Sequence, residues 1–149
     1  MSVADYQLDT DTVVGLLRGR PTSIRERIRG AIAAEASLAI SSVVLFELTY
    51  GIARSGRPAE NADRLREFLA GGILVLPVTE HDARAAASVR AELAAAGTPI
   101  GPYDVLIAGQ ARSRDAVLVT GNTREFGRVR GLRLEDWGVP SQDRGKGAP

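Results

Sequence analysis

Two kinds of hydrophobic pattern alternate along this chain. An apolar run at 73–78 reads clearly as a β-strand, short mostly apolar runs at 38–41 and 116–119 read as others, and weaker ones stand at 6–8 and at 132–134, the last reaching toward Trp137. Between them, apolar residues recur at helical spacing. Val13, Val14, Leu16 and Leu17 mark a helix over 9–18, and Ile24, Ile28, Ala31 and Ile32 mark another over 23–34. Further helices are predicted over 43–53, 59–69, from the Thr79 cap to Ala96, and over 103–112. Gly19 and Pro21, Gly56 and Pro58, Gly71-Gly72 and Gly97 punctuate the pattern where helices must stop. Ser41 or Ser42 is placed to cap the helix over 43–53, and Pro102 suits a first helical turn, where its missing N–H costs little.

Strands alternating with helices predict an α/β fold, with a mainly parallel central sheet flanked by helices. A length of 149 residues fits one domain, here 1–139, followed by a disordered tail over 140–149. In such a sheet the functional site is expected at the carboxyl ends of the strands.

Composition narrows the chemistry. Cysteine is absent, which excludes disulfides, thiol nucleophiles and cysteine-ligated metals. His81 is the only histidine, so a nuclease using a histidine acid and a histidine base is excluded; at 81 it is expected to lie exposed in a helix's first turn. Lys146, in the tail, is the only lysine, so the positive charge is almost all arginine. The net charge of +1 neither requires nor forbids a nucleic-acid partner. No apolar run is long enough to span a bilayer and no signal-peptide core follows Met1, so a cytoplasmic protein without membrane contact is expected.

Three carboxylates stand in apolar settings. Asp9 follows the first strand, Glu47 interrupts Val43-Val44-Leu45-Phe46-Glu47-Leu48, and Asp104 interrupts Tyr103-Asp104-Val105-Leu106-Ile107. Separately each has a structural reading: Asp9 as a helix cap, Asp104 as a partner of a helix dipole, Glu47 as the mate of a buried arginine. Together they sit at positions that the topology brings to one sheet edge. Clustered acids repel, and a hard divalent cation is the usual remedy; an oxygen-only donor set favours Mg²⁺ or Mn²⁺.

Leu8-Asp9-Thr10-Asp11, the segment from Ser41 to Gly51, Asp104 to Ala108, Val119 to Phe126 and the close from Gly131 to Trp137 together resemble the PIN-domain ribonucleases, in particular the VapC toxins of toxin–antitoxin pairs. The resemblance implies Mg²⁺- or Mn²⁺-dependent endonucleolytic hydrolysis of RNA, with Asp9, Glu47 and Asp104 as the acidic, metal-holding site. It also implies an RNA substrate and a cognate antitoxin, with the chain as a homodimer or in a hetero-oligomer with the antitoxin. Two positions depart from the pattern. Asp11 stands where the family usually has Asn, either as an added ligand or as a cap. The fourth acidic place falls to Asn122 or Glu125. Thr120 is expected to orient the acids, and Glu47 to orient or deprotonate the attacking water. Arginines would hold the RNA backbone; Arg25, with Arg27 and Arg29, and Arg124 and Arg128, with Arg130 and Arg133, are the candidate groups, each of which reads equally as a solvated helix face.

Two other readings compete. Asp9-Thr10-Asp11-Thr12-Val13 also resembles the aspartate motif of haloacid-dehalogenase-type phosphatases, but that chemistry needs a core cation that this chain lacks. The other is a PIN-like binding module with a dead metal site, for which the blurred fourth acid is the main support.

Overall fold

A computed structural model of the chain describes residues 4–140; apart from Pro140, the expected tail lies outside them. Five strands form one sheet: β1 (Tyr6–Leu8), β2 (Leu38–Ser41), β3 (Leu74–Leu76), β4 (Val117–Val119) and β5 (Arg133–Glu135). Their order is β3-β2-β1-β4-β5, and every pairing is parallel. The helices are α1 (Thr10–Arg18), α2 (Thr22–Ala33), α3 (Ser42–Ala53), α4 (Pro58–Ala70), α5 (Glu80–Ala96), α6 (Pro102–Ser113) and the single turn α7 (Thr123–Phe126).

Strand order reverses at β1. The chain builds outward through β2 and β3, then crosses back to lay β4 on the other side of β1. A crevice opens at the carboxyl ends of strands where the order switches in this way. Asp9 and Thr120, each the residue immediately after its strand, stand at that point.

Helix starts follow local chemistry. Ser41 Oγ accepts the Val43 N–H and caps α3, while Ser42 Oγ accepts from Val78 N–H. Thr79 and Asp82 form a reciprocal capping box on α5. Gly19 and Gly97 close α1 and α5 at φ 74° and 72°. Such left-handed backbone is cheap only for glycine.

The strand expected over 73–78 is shorter. β3 is an edge strand, with Leu74 and Val75 exposed, because only β2 flanks it. Helix α3 is apolar nearly all round, a pattern that predicts Glu47 shielded from water. Instead it shows Phe46 and Tyr50 to solvent at 52% and 56% exposure, and Glu47 is half-buried at a cleft wall. The turn α7 has no counterpart in the periodicity, since four residues are too few to show one.

The core runs through Leu8, Val13, Ile40, Ile107, Leu118 and Trp137. Arg27 is held inside this frame: it pairs with Glu135 at 3.1 Å and lies over the Trp137 ring at 5.6 Å. Helices α5 and α6 approach closely at Gly109, where a Cβ would meet Ala86 Cα at 2.4 Å. Beside that crossing, buried Asp82 takes a bidentate hydrogen bond from Arg114 (3.1 and 2.7 Å) and a third bond from Gln110 Nε2 at 3.1 Å. No described helix is long and apolar enough to cross a membrane.

Candidate active site

The carboxylates converge because each is placed by the end of a strand or the start of a helix. Asp9 caps α1: one oxygen accepts the Thr10 N–H at 2.9 Å, and the other accepts the Thr120 hydroxyl at 2.8 Å. Its 7% exposure leaves the carboxyl poorly solvated. Burial, reinforced by the charges of Asp11 and Asp104, outweighs these two hydrogen bonds and pushes the Asp9 pKa up to about 7. Asp104 lies in the first turn of α6 behind Pro102. Burial, then the charges of Glu125, Glu47 and Asp11, raises it to about 6. Glu47 reaches across from α3, and its Oε1 accepts the Thr10 hydroxyl at 2.7 Å. The buried arginine that was its alternative partner is absent among the described residues.

Asp11 ties α1 to the loop after β4. Its Oδ2 accepts the Gly121 N–H at 2.9 Å, and a Cβ on Gly121 would sit at that same distance from this oxygen. A side chain at position 121 would therefore crowd the Asp11 carboxylate and push it aside. In the next residue, the Asn122 N–H donates to Thr120 Oγ1 at 3.0 Å and its amide donates to Glu125 Oε2 at 2.7 Å. Glu125 Oε1 accepts the Gly101 N–H at 3.1 Å, so Glu125 clamps the entrance to α6.

Asp9, Asp11, Glu47, Asp104 and Asn122 border one cleft of about 460 Å³. Thr120 lies beneath Asp9, and Glu125 stands behind Asn122. Arg25, Arg124 and Arg128 border none of this cleft; all three are exposed, and Arg128 donates to the Pro99 carbonyl at 2.9 Å. His81 is exposed in the first turn of α5. The polar cleft residues that the sequence pattern does not mark are Thr10, which links Asp9 to Glu47, and Arg18 and Arg20. The available signal for the arginines was positional. They straddle Gly19, the stop of the helix that Asp9 starts.

The donor set suits a hard divalent ion: four carboxylates and an amide, with no ion pair to any of the four among the described residues. As the side chains stand, no three described His, Cys, Asp or Glu residues converge closely enough to grip an ion.

With this geometry in place, comparison with known proteins identifies the class. Residues 6–132 match the PIN domain family model, and the chain belongs to the PIN-domain family, within its VapC group. It is 43% identical to the tRNA(fMet)-specific endonuclease VapC of Shigella flexneri, over 89% of this chain and 97% of that one. Among solved structures it resembles VapBC2 from Rickettsia felis bound to a promoter DNA fragment (TM-score 0.83, 34% identity, 89% of this chain and 98% of that one). It also resembles DNA-bound VapBC from Salmonella typhimurium (TM-score 0.82, 41% identity, 90% and 98%). The five-stranded parallel sheet is the fold of these proteins, and the phosphatase reading is set aside.

Proposed function

We propose that this chain is a divalent-metal-dependent endoribonuclease and the toxin of a toxin–antitoxin pair, with Asp9, Glu47 and Asp104 as its acidic site. The observation that carries the reading is the gathering of four carboxylates, none ion-paired, in one cleft at the sheet's switch point. Asp9, Asp104 and Glu47 would hold the ion, with Asp11 or Asn122 completing the set. A bound Mg²⁺ or Mn²⁺ supplies charge neutralisation at the phosphate and a water of lowered pKa.

The rest of the chemistry belongs to the protein. Thr120 and the Thr10 N–H fix both oxygens of Asp9, so this carboxylate is the rigid reference point of the site. Glu47, steadied by Thr10 but bordering the open cleft, is placed to take a proton from the attacking water. Asp11 and Gly121 pin the β4 loop to α1, which sets the position of Asn122. Transfer RNA is the first substrate to assay, given the specificity named for the Shigella relative.

An apolar groove between α1, α3 and α4, walled by Val14, Leu17, Leu48 and Ile52, opens directly onto Glu47. It suits an antitoxin segment that lays apolar side chains in the groove and presents arginine to the acids.

Asp104→Asn keeps the shape of the site and removes one charge. It is expected to abolish Mn²⁺-dependent RNA cleavage while leaving the melting temperature unchanged or raised. Full cleavage by this variant would overturn the assignment.

A further inference from the structure

The acidic cleft is the middle of a longer furrow, and an arginine stands at each joint. The apolar groove and the acidic cleft share Thr10, Val14, Glu47 and Arg18. On the other side, the acidic cleft and a third hollow share Asp11, Gly15 and Arg20. Resting on the ribonuclease reading of this site, we propose that Arg18 and Arg20 bind backbone phosphates of the RNA strand beside the bond to be cut, so that the strand runs along the furrow past both.

The placement follows from the chain. Helix α1 begins at the acids and ends at Arg18; eight rises of roughly 1.5 Å set its ends about 12 Å apart. Gly19 then turns the chain, with φ 74° and its N–H on the Gly15 and Leu16 carbonyls. The Arg20 N–H also returns to the Gly15 carbonyl, at 3.0 Å. Gly15 makes this corner tight: a Cβ there would meet Ile24 Cδ1 at 2.6 Å and the Arg20 carbonyl at 3.0 Å. Arg18 and Arg20, two residues apart, thereby both border the acidic cleft, Arg18 where it meets the apolar groove and Arg20 where it meets the third hollow.

Both side chains are exposed, and neither guanidinium makes a hydrogen bond or ion pair among the described residues. Other arginines are committed: Arg27 to Glu135, Arg112 to Glu92, Arg114 to Asp82 and Arg133 to Asp115. Arg25 and Arg124 are uncommitted but border none of the three hollows. An arginine fork with all its donors free suits a phosphate oxygen pair. The central carboxylates repel a phosphodiester backbone, so flanking cations are what a polyanion needs to enter. The chain has no lysine among the described residues to supply them.

The test measures binding separately from cleavage. In an Asp104→Asn background with Mn²⁺, anisotropy of a labelled single-stranded RNA oligonucleotide is followed across salt concentrations. Each phosphate contact on a single strand contributes about 0.7 to the slope of log K against log salt. Arg18→Gln and Arg20→Gln are each expected to weaken binding several-fold and to lower that slope by about 0.7. The two losses should add, and should be alike for unrelated RNA sequences, as backbone contacts require. Arg18→Lys and Arg20→Lys should restore the slope, and Arg90→Gln on α5 should leave it unchanged. A slope unchanged in both glutamine variants overturns the proposal. So does an unchanged slope with weakened binding to the protein inhibitor, which would assign the arginines to that partner. Cleavage by the unsubstituted protein is scored on its own and bears only on the nuclease reading.

Discussion

At the scale of single residues, the site is a balance between burial and repulsion. Burial shifts the titration of Asp9 from the ordinary carboxylate value up to about 7, although two donors favour its charged form. The folded chain therefore binds a proton that the unfolded chain has released, between the ordinary carboxylate value of 3.8 and about 7. Stability from this group is full below about pH 4 and is lost as pH rises through about 7. Three units correspond to a loss on the order of 4 kcal/mol. In EDTA the protein is expected to melt higher at pH 5 than at pH 8, and Asp9→Asn should remove most of that difference. Glu47 gives a second expectation. Its carboxylate takes one hydroxyl and no cation among the described residues, so Glu47→Gln should leave the metal-free melt nearly unchanged or raise it. A loss of roughly 3 kcal/mol, the signature of a broken buried ion pair, would contradict the contact seen here.

At the scale of elements, the crossing of α5 and α6 decides where Asp104 sits. Gly109 lies against the Ala86 backbone, with a Cβ position only 2.4 Å from Cα, and backbone cannot swing aside as a side chain can. Gly109→Ala should therefore destabilise by about 1–3 kcal/mol, like other overpacked sites, and should shift α6. RNA cleavage measured below the variant's melting transition should fall as well, because Asp104 rides on that helix. Gly30 on α2 is the contrast. Nothing lies within 4 Å of its Cβ position, so Gly30→Ala should stabilise by about 1 kcal/mol through helix propensity alone. Paired thermal melts check both signs.

At the scale of the whole molecule, metal and fold are linked. The cleft gathers like charges that the folded state must tolerate, so an ion that binds only the folded form should stabilise it by mass action. Mn²⁺ at a hundredfold excess over its dissociation constant would add about 2.7 kcal/mol, which is several degrees in a domain of this size. Melting scans with Mn²⁺ should show this gain at pH 8 and a smaller one at pH 5, where Asp9 carries its proton. An unchanged melt at pH 8 would count against a carboxylate-held ion. Much of this was readable in one dimension. The strand runs, the Ser41 and Thr79 caps, the Gly19 and Gly97 stops and the three acids in apolar company are local signals, because propensity, capping and periodicity act over a few residues. Tertiary structure decided the rest. Glu125 and Asn122 are three residues apart, and only the fold shows Asn122 at the cleft while Glu125 is spent on the Gly101 N–H. Arg27 and Arg25 look alike in sequence, yet one is locked on Trp137 and Glu135. Arg18 and Arg20 look in sequence like an ordinary helix end, and only the parallel crossovers that carry Glu47 and Asp104 to the same opening make them part of the cleft. Which polar groups meet depends on contacts between segments far apart in the chain, and no local pattern encodes those.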